Sequence, residues 1–181
     1  GKPLDGVRVL ALEQLQALPF ATQLLARLGA DVVKVEKPGT GESGRGSLPA
    51  MTDPAGRQVG ATFLRNNLGK RSVAIDLKQE RGRAAFEDLV RHSDAVIHNF
   101  APDVPKRLGV DLQALKKINP KICVGQLIGF HDEGEWRNTP AFDLFIQAQA
   151  GFMSLTGERD GKPVRAGYQI ADLAGGLYLA L

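Results

Sequence analysis

The sequence predicts an α/β protein, a parallel sheet flanked by helices, on three observations. A β-prone run at residues 7–12 is followed by apolar residues at helical spacing over 20–28 and by a second β-prone run at 31–36. The same order recurs at 73–77, 80–91 and 95–97. The connections within each unit are short, and strands that alternate with helices in this way pair in parallel.

Each element has its own warrant. Gly29 closes the first helix, as glycine does where the chain must leave a helix in the left-handed conformation. The turn before that helix, residues 13–19, contains no Gly-x-Gly-x-x-Gly, which removes most support for dinucleotide binding. Residues 38–60 are rich in Gly, Pro and Ser and read as one long loop, either a plain connection or a ligand-lining one. Within it, Gly41-Glu42-Ser43-Gly44-Arg45 matches no phosphate-loop consensus.

The helix over 80–91 turns Ala84, Ala85, Leu89 and Val90 inward, and the strand over 95–97 runs into His98-Asn99-Phe100-Ala101-Pro102. Open α/β sheets bind ligands at the carboxyl ends of their strands, so this turn is well placed. Lys70, Arg71 and Arg107 are either contacts for a phosphate or solvated surface groups. Two short helices, 104–108 and 112–118, end at Asn119-Pro120. Cys123 lies in an apolar run and is expected to be a buried core thiol. A single cysteine excludes a disulfide framework and a cysteine metal site.

His131, Asp132 and Glu133 are adjacent in sequence, poor geometry for chelation, and read as exposed loop, so no metal site is expected. His92 closes the helix over 80–91 and is assigned no chemistry. Residues 141–151 form an apolar helix with Asp143 in its first turn, and Asp160-Gly161 marks a turn.

The last stretch carries the chemistry. Asp172 is the lone acid of residues 165–178, and the pattern becomes helical and apolar from Leu173. An acid at or just before a helix start meets free N–H groups and the positive dipole end, which favour its ionised form. It is then either a helix cap or a functional acid. Gly175 and Gly176 weaken the helix and imply that another segment or a ligand comes close.

Composition bounds the rest. With 181 residues, 43% of them hydrophobic, the chain can bury the core of one domain. Its net charge of +3 is spread along interleaved acids and bases, which argues against nucleic acid and suits a small anionic ligand. No run has the apolar length of a membrane span and no signal peptide is visible, so a cytoplasmic protein is expected, or a mitochondrial or peroxisomal one in a eukaryote. The chain opens on Gly1 and stops within an apolar helical pattern at Leu181, as expected of a piece of a longer protein.

Taken in order, the segments 6–10, 28–36, 67–76, Asn99-Phe100 with Arg107-Leu108-Gly109, 147–151, Thr156-Gly157 and Asp172 resemble the family III coenzyme A transferases. That group includes formyl-CoA and carnitine-CoA transferases and the related 2-methylacyl-CoA racemases. The resemblance implies that residues 1–181 are the N-terminal part of a large, Rossmann-like domain, with a small domain and a C-terminal segment outside them. It implies Asp172 as the nucleophile that forms an acyl anhydride and then an aspartyl-CoA thioester, with Gln16 near the thioester. Lys37, Lys70, Asn99, Phe100 and Arg107 match positions that line the CoA site. Acyl-CoA and a carboxylic acid are then the substrates, no cofactor is held permanently, and the full-length enzyme is an interlocked homodimer.

The racemases carry a histidine before the acid matched by Asp143, and here that residue is Phe142, which favours transferase over racemase. The family's glycine-rich loop before this helix is replaced by residues 131–137. A CoA-binding domain without turnover is the other reading, and residues 1–181 alone are expected to be inactive.

Overall fold

The structure is a computed structural model and describes residues 1–131 and 133–181. Five parallel strands form the sheet: β1 (Arg8–Leu12), β2 (Asp31–Glu36), β5 (Arg71–Ala74), β6 (Ala95–His98) and β7 (Cys123–Gln126), in the order β5-β2-β1-β6-β7. The central strands read as apolar runs because both of their faces are covered.

Side-chain alternation divides these residues between two cores. Leu10, Leu12, Val33, Val35 and Val96 face α3 (Glu80–Arg91) and α5 (Leu112–Ile118), packing with Phe86, Val90 and Leu115. Val9, Ala11, Val32 and Ile97 face α1 (Ala17–Arg27), packing with Leu18 and Ala21. Burying each such aliphatic side chain contributes about 1.5–3 kcal/mol, so the sheet is the rigid part on which loops can be held. Among the described residues no helix is long and apolar enough to cross a membrane.

The expected parallel α/β architecture is therefore present, with local differences. Strand β5 starts at Arg71 and its last paired residue is Ala74, opposite Glu36 where β2 ends. The stretch 38–60 is more than a loop. It holds a 3-10 turn (Ser43–Gly46) and a hairpin of β3 (Ala50–Thr52) and β4 (Gln58–Gly60), followed directly by α2 (Ala61–Asn66). Asp53 closes the hairpin by accepting from the N–H groups of Ala55 and Arg57. Strands of three residues are too short for a period of two to show.

Cys123 is exposed, not buried. It is on the edge strand, at the parity opposite to Ile122 and Val124, which pack into the α3–α5 core.

Helix α7 (Ile170–Ala180) begins three residues before Leu173 and lies against α1. Its two glycines have different tasks. A Cβ on Gly176 would sit 2.4 Å from the Ala17 carbonyl oxygen, so only glycine permits this approach. At Gly175 a Cβ would meet Leu127 at an ordinary 3.6 Å, and this residue opens onto a cavity.

Candidate active site

The strand order reverses its winding between β1 and β6, the place where open α/β sheets leave a crevice beyond their carboxyl ends. A cavity of about 600 Å³ lies there. The turns after β1, β6 and β7, the helix α6 (Asp143–Gln149) and the first turn of α7 form its walls. Gln16, Asn99, Phe100, Arg137, Asp143 and Asp172 all line it.

The turn after β1 is held from three sides. The Gln14 N–H donates to Asn99 Oδ1 at 3.1 Å, and Asn99 Nδ2 donates back to the Gln14 carbonyl at 3.1 Å. Leu15 has φ +63, a conformation that disfavours a branched side chain, and its N–H is fixed by Glu42 Oε2 at 2.9 Å. Beneath the turn Glu13 is buried, accepting from Lys34 at 3.2 Å, Lys70 at 2.7 Å and Thr22 at 2.6 Å. Asn99 thus fixes the turn that carries Gln16. Phe100 stacks on His98, whose burial pushes its pKa down to about 4 and keeps the ring neutral.

Asp172 is the third residue of α7, and it is not the cap. The capping residue by position is Gln169, which makes no side-chain cap bond. The N–H groups of Ala171 and Asp172 donate instead to Asp143 Oδ1, at 2.8 and 3.3 Å. Asp143 Oδ2 accepts from Gln147 Nε2 at 2.6 Å, and Gln147 Oε1 accepts from the Ala166 N–H at 2.9 Å. The helix terminus is capped from α6, and the carboxylate expected to enjoy its N–H groups does not receive them.

The charge balance at Asp172 is accordingly the reverse of the expected one. Burial first, and then the charge of Asp143, push its pKa up to about 6, while Arg65 acts in the opposite direction. Near neutral pH Asp172 is mostly ionised yet more basic than an exposed aspartate. In a full-length protein with transfer activity, Asp143→Asn would remove the repulsion and leave an acceptor for both N–H groups. The acid limb of its kcat/KM profile moves below that of the unmodified enzyme; an unmoved limb rules out Asp143 as a determinant.

A second, smaller cavity shares the walls Gln14 and Phe100 with the first and is also lined by Lys37 and Lys78. The first cavity is lined by an acid pair, Asp143 and Asp172, and its neighbour by two lysines. Two expected positions lie outside both. Lys70 is buried and gives its ammonium to Glu13 Oε1, the Pro19 carbonyl and Asn67 Oδ1, at 2.7, 2.8 and 2.9 Å. Arg107 is exposed on α4 (Val104–Leu108), next to Leu108, which does line the second cavity.

No sequence pattern singles out Lys78, Arg65 or Arg137. Arg137 donates to Asp103 Oδ1 at 2.6 Å and is the single Lys or Arg among the described residues that line the first cavity. Of the adjacent trio, His131 Nδ1 accepts from the Glu133 N–H at 3.2 Å, and Asp132 lies outside the described residues.

Comparison with known proteins places this chain in a family. The chain is 40% identical over 178 residues to a succinate–glutarate CoA-transferase of Agrobacterium fabrum, covering 97% of this chain and 44% of the relative. It is 41% identical over 180 residues to a formyl-CoA:oxalate CoA-transferase of Afipia carboxidovorans, covering 99% and 41%. The chain thus spans less than half the length of these relatives.

A crystal structure of a CAIB/BAIF family protein from Brucella suis superposes with a TM-score of 0.92 at 38% identity, over 99% of this chain and 47% of that one. A structure from Mycobacterium tuberculosis gives 0.88 at 36%, over 99% and 49%. The model of CoA-transferase family III matches residues 4–181. With fold and sequence in agreement over nearly every residue, the chain belongs to CoA-transferase family III.

Proposed function

We propose that the enzyme to which this chain contributes moves coenzyme A from an acyl-CoA to a carboxylic acid, with Asp172 as nucleophile. The observation that carries this is the placement of Asp172: a half-buried carboxylate in the cavity, made more basic by burial and by Asp143. In the first step an Asp172 oxygen bonds to the thioester carbonyl carbon, the C–S bond breaks, and its electron pair leaves on the CoA sulfur. The thiolate then attacks the Asp172 side of the anhydride, giving an aspartyl-CoA thioester and freeing the donor acid. The acceptor carboxylate opens that thioester through a second anhydride, and the returning thiolate completes the new acyl-CoA. Covalent catalysis divides one difficult exchange into easier ones.

Two neighbouring cavities with Gln14 and Phe100 in common suit a long ligand of this kind. Its acyl end would lie by Asp172 and Gln16, its middle along Phe100 and Asn99, and its phosphates toward Lys37 and Lys78. The relatives' names specify dicarboxylates, oxalate, succinate and glutarate. Arg137 supplies a cation in the same cavity for the distal carboxylate of such an acid. Phe142 faces that cavity in place of a base, which disfavours proton abstraction next to the thioester. No permanently bound cofactor enters the scheme.

Incubating the full-length enzyme with acyl-CoA and hydroxylamine is expected to leave a hydroxamate on Asp172, detected by mass spectrometry of the digested protein. Active transfer with no label at residue 172 would exclude this mechanism.

A further inference from the structure

We infer that Arg65, on α2 and outside both cavities, is a positioning residue that aims the side-chain amide of Gln16 into the active-site crevice. The inference rests on the transferase reading above for what the amide does there, but its geometry stands independently.

A guanidinium has donors and no acceptor, so the end of the Gln16 amide that meets it must be the oxygen. Arg65 Nη2 donates to Gln16 Oε1. Once the oxygen is held, the Nε2 group points the other way, and one of its protons goes to Gln169 Oε1 at 3.3 Å. Its second proton has no hydrogen-bond partner among the described residues, and Gln16 lines the cavity with Asp172.

Gln16 itself is 6% exposed, so a free choice of amide orientation is not available to it through water. Gln169 is the residue from which α7 starts, three positions before Asp172. Arg65, Gln16 and Gln169 therefore form a chain that ties the turn after β1 to the helix carrying the nucleophile.

This orientation supplies an N–H donor in the cavity that Asp172 also lines. As the Asp172 oxygen bonds to the thioester carbon, negative charge develops on the carbonyl oxygen until the C–S electron pair leaves with sulfur. A fixed amide donor stabilises that charge, whereas a flipped amide would present its own oxygen and repel it. Arg65 thus acts through Gln16. Its charge also favours the ionised form of Asp172, opposing the effects of burial and Asp143. The charged groups that bear on Asp172 are then Asp143 from α6 and Arg65 from α2, with the neutral Gln16 and Gln169 between elements.

The test is a double-mutant cycle in the full-length enzyme with Arg65→Met, Gln16→Ala and the two combined, read as kcat and KM for donor and acceptor. Removing a preorganised donor costs about 10²-fold in kcat, so each single variant is expected to lose on that order, and the double variant no more than Gln16→Ala alone. Arg65→Lys keeps a donor and the charge and is expected to recover much of the loss. In Arg65→Met the acid limb of the pH profile also moves up.

Multiplying losses in the double variant, or a rise in the KM for acyl-CoA with kcat unchanged, would overturn the inference, since Arg65 would then contact substrate itself. A readout without turnover separates this from failure of the transferase reading. With 15N-labelled glutamine, the side-chain amide resonances of Gln16, assigned by their loss in Gln16→Ala, shift in Arg65→Met and stay near their original positions in Arg65→Lys. Unchanged resonances in Arg65→Met would show that Arg65 does not hold the amide, whatever the enzyme transfers.

Discussion

Asp172→Asn is expected to lower CoA transfer by the full-length enzyme by about 10⁴-fold or more, as loss of a nucleophile does, while making the fold more stable at neutral pH. The two effects have one cause. In the folded chain the Asp172 pKa is raised to about 6, chiefly by burial and then by Asp143, against 3.8 for the group in its ordinary state. The folded state therefore binds this proton more tightly than the unfolded state does. Below about pH 4 both states hold it and the group exerts no penalty; between about pH 4 and 6 the penalty grows; above that it is fully present. Asparagine, which does not titrate, avoids it.

Thermal unfolding at pH 4 and pH 7.5 should show the variant gaining on the unmodified enzyme only at the higher pH, in parallel with its loss of activity. A variant that is inactive and also less stable at pH 7.5 would indicate a damaged fold. One that keeps its activity would remove Asp172 from the mechanism.

How much of this could be read in the sequence depends on the range of the interaction. The strands and longer helices were legible because their signal is local: apolar residues at the period of each element, with Gly29 ending α1 and Asn119-Pro120 following α5. The need for glycine at 176 was legible too, as a helix weakened for a reason, although the reason was the Ala17 carbonyl across the α1–α7 contact. What the residues around Asp172 could not reveal is that Asp143, 29 positions earlier, takes its N–H group and raises its pKa.

The partners of Lys70 were hidden for the same reason. A lysine before a strand looks like a phosphate contact until Glu13, 57 positions away, is seen to hold it. Cys123 went wrong because an apolar run does not say which strand ends at the edge of the sheet. Position on the sheet was legible for the candidate site, and the polar partners that set its chemistry were not, since each pair is brought together only by folding.

The buried pairing around Glu13 leads to the largest expected loss of stability. Glu13, Lys34 and Lys70 have almost no side-chain exposure, and one carboxylate oxygen accepts from both ammonium groups. Glu42 stands 3.9 Å from Lys34, too far for a hydrogen bond to replace what Glu13 supplies. Glu13→Gln keeps the shape and a carbonyl acceptor but removes the charge. Breaking a buried pair in this way costs about 3–5 kcal/mol, and here both lysine cations lose their hydrogen-bonded counter-charge. At about 2–4 °C per kcal/mol the apparent Tm of the full-length enzyme at pH 7 should fall by about 10 °C.

The pH dependence distinguishes this cause from loose packing. Burial already lowers the Lys70 pKa to about 8, and removing the adjacent Glu13 charge lowers it further. The folded state then binds this proton less tightly than the unfolded chain, so the penalty is full below the folded pKa and declines as pH rises toward the ordinary lysine value of 10.5. The Tm deficit of Glu13→Gln is expected to shrink between pH 7 and pH 9.5. An equal deficit at both would assign the loss to packing and remove the buried charge pair as the support beneath the turn that carries Gln16.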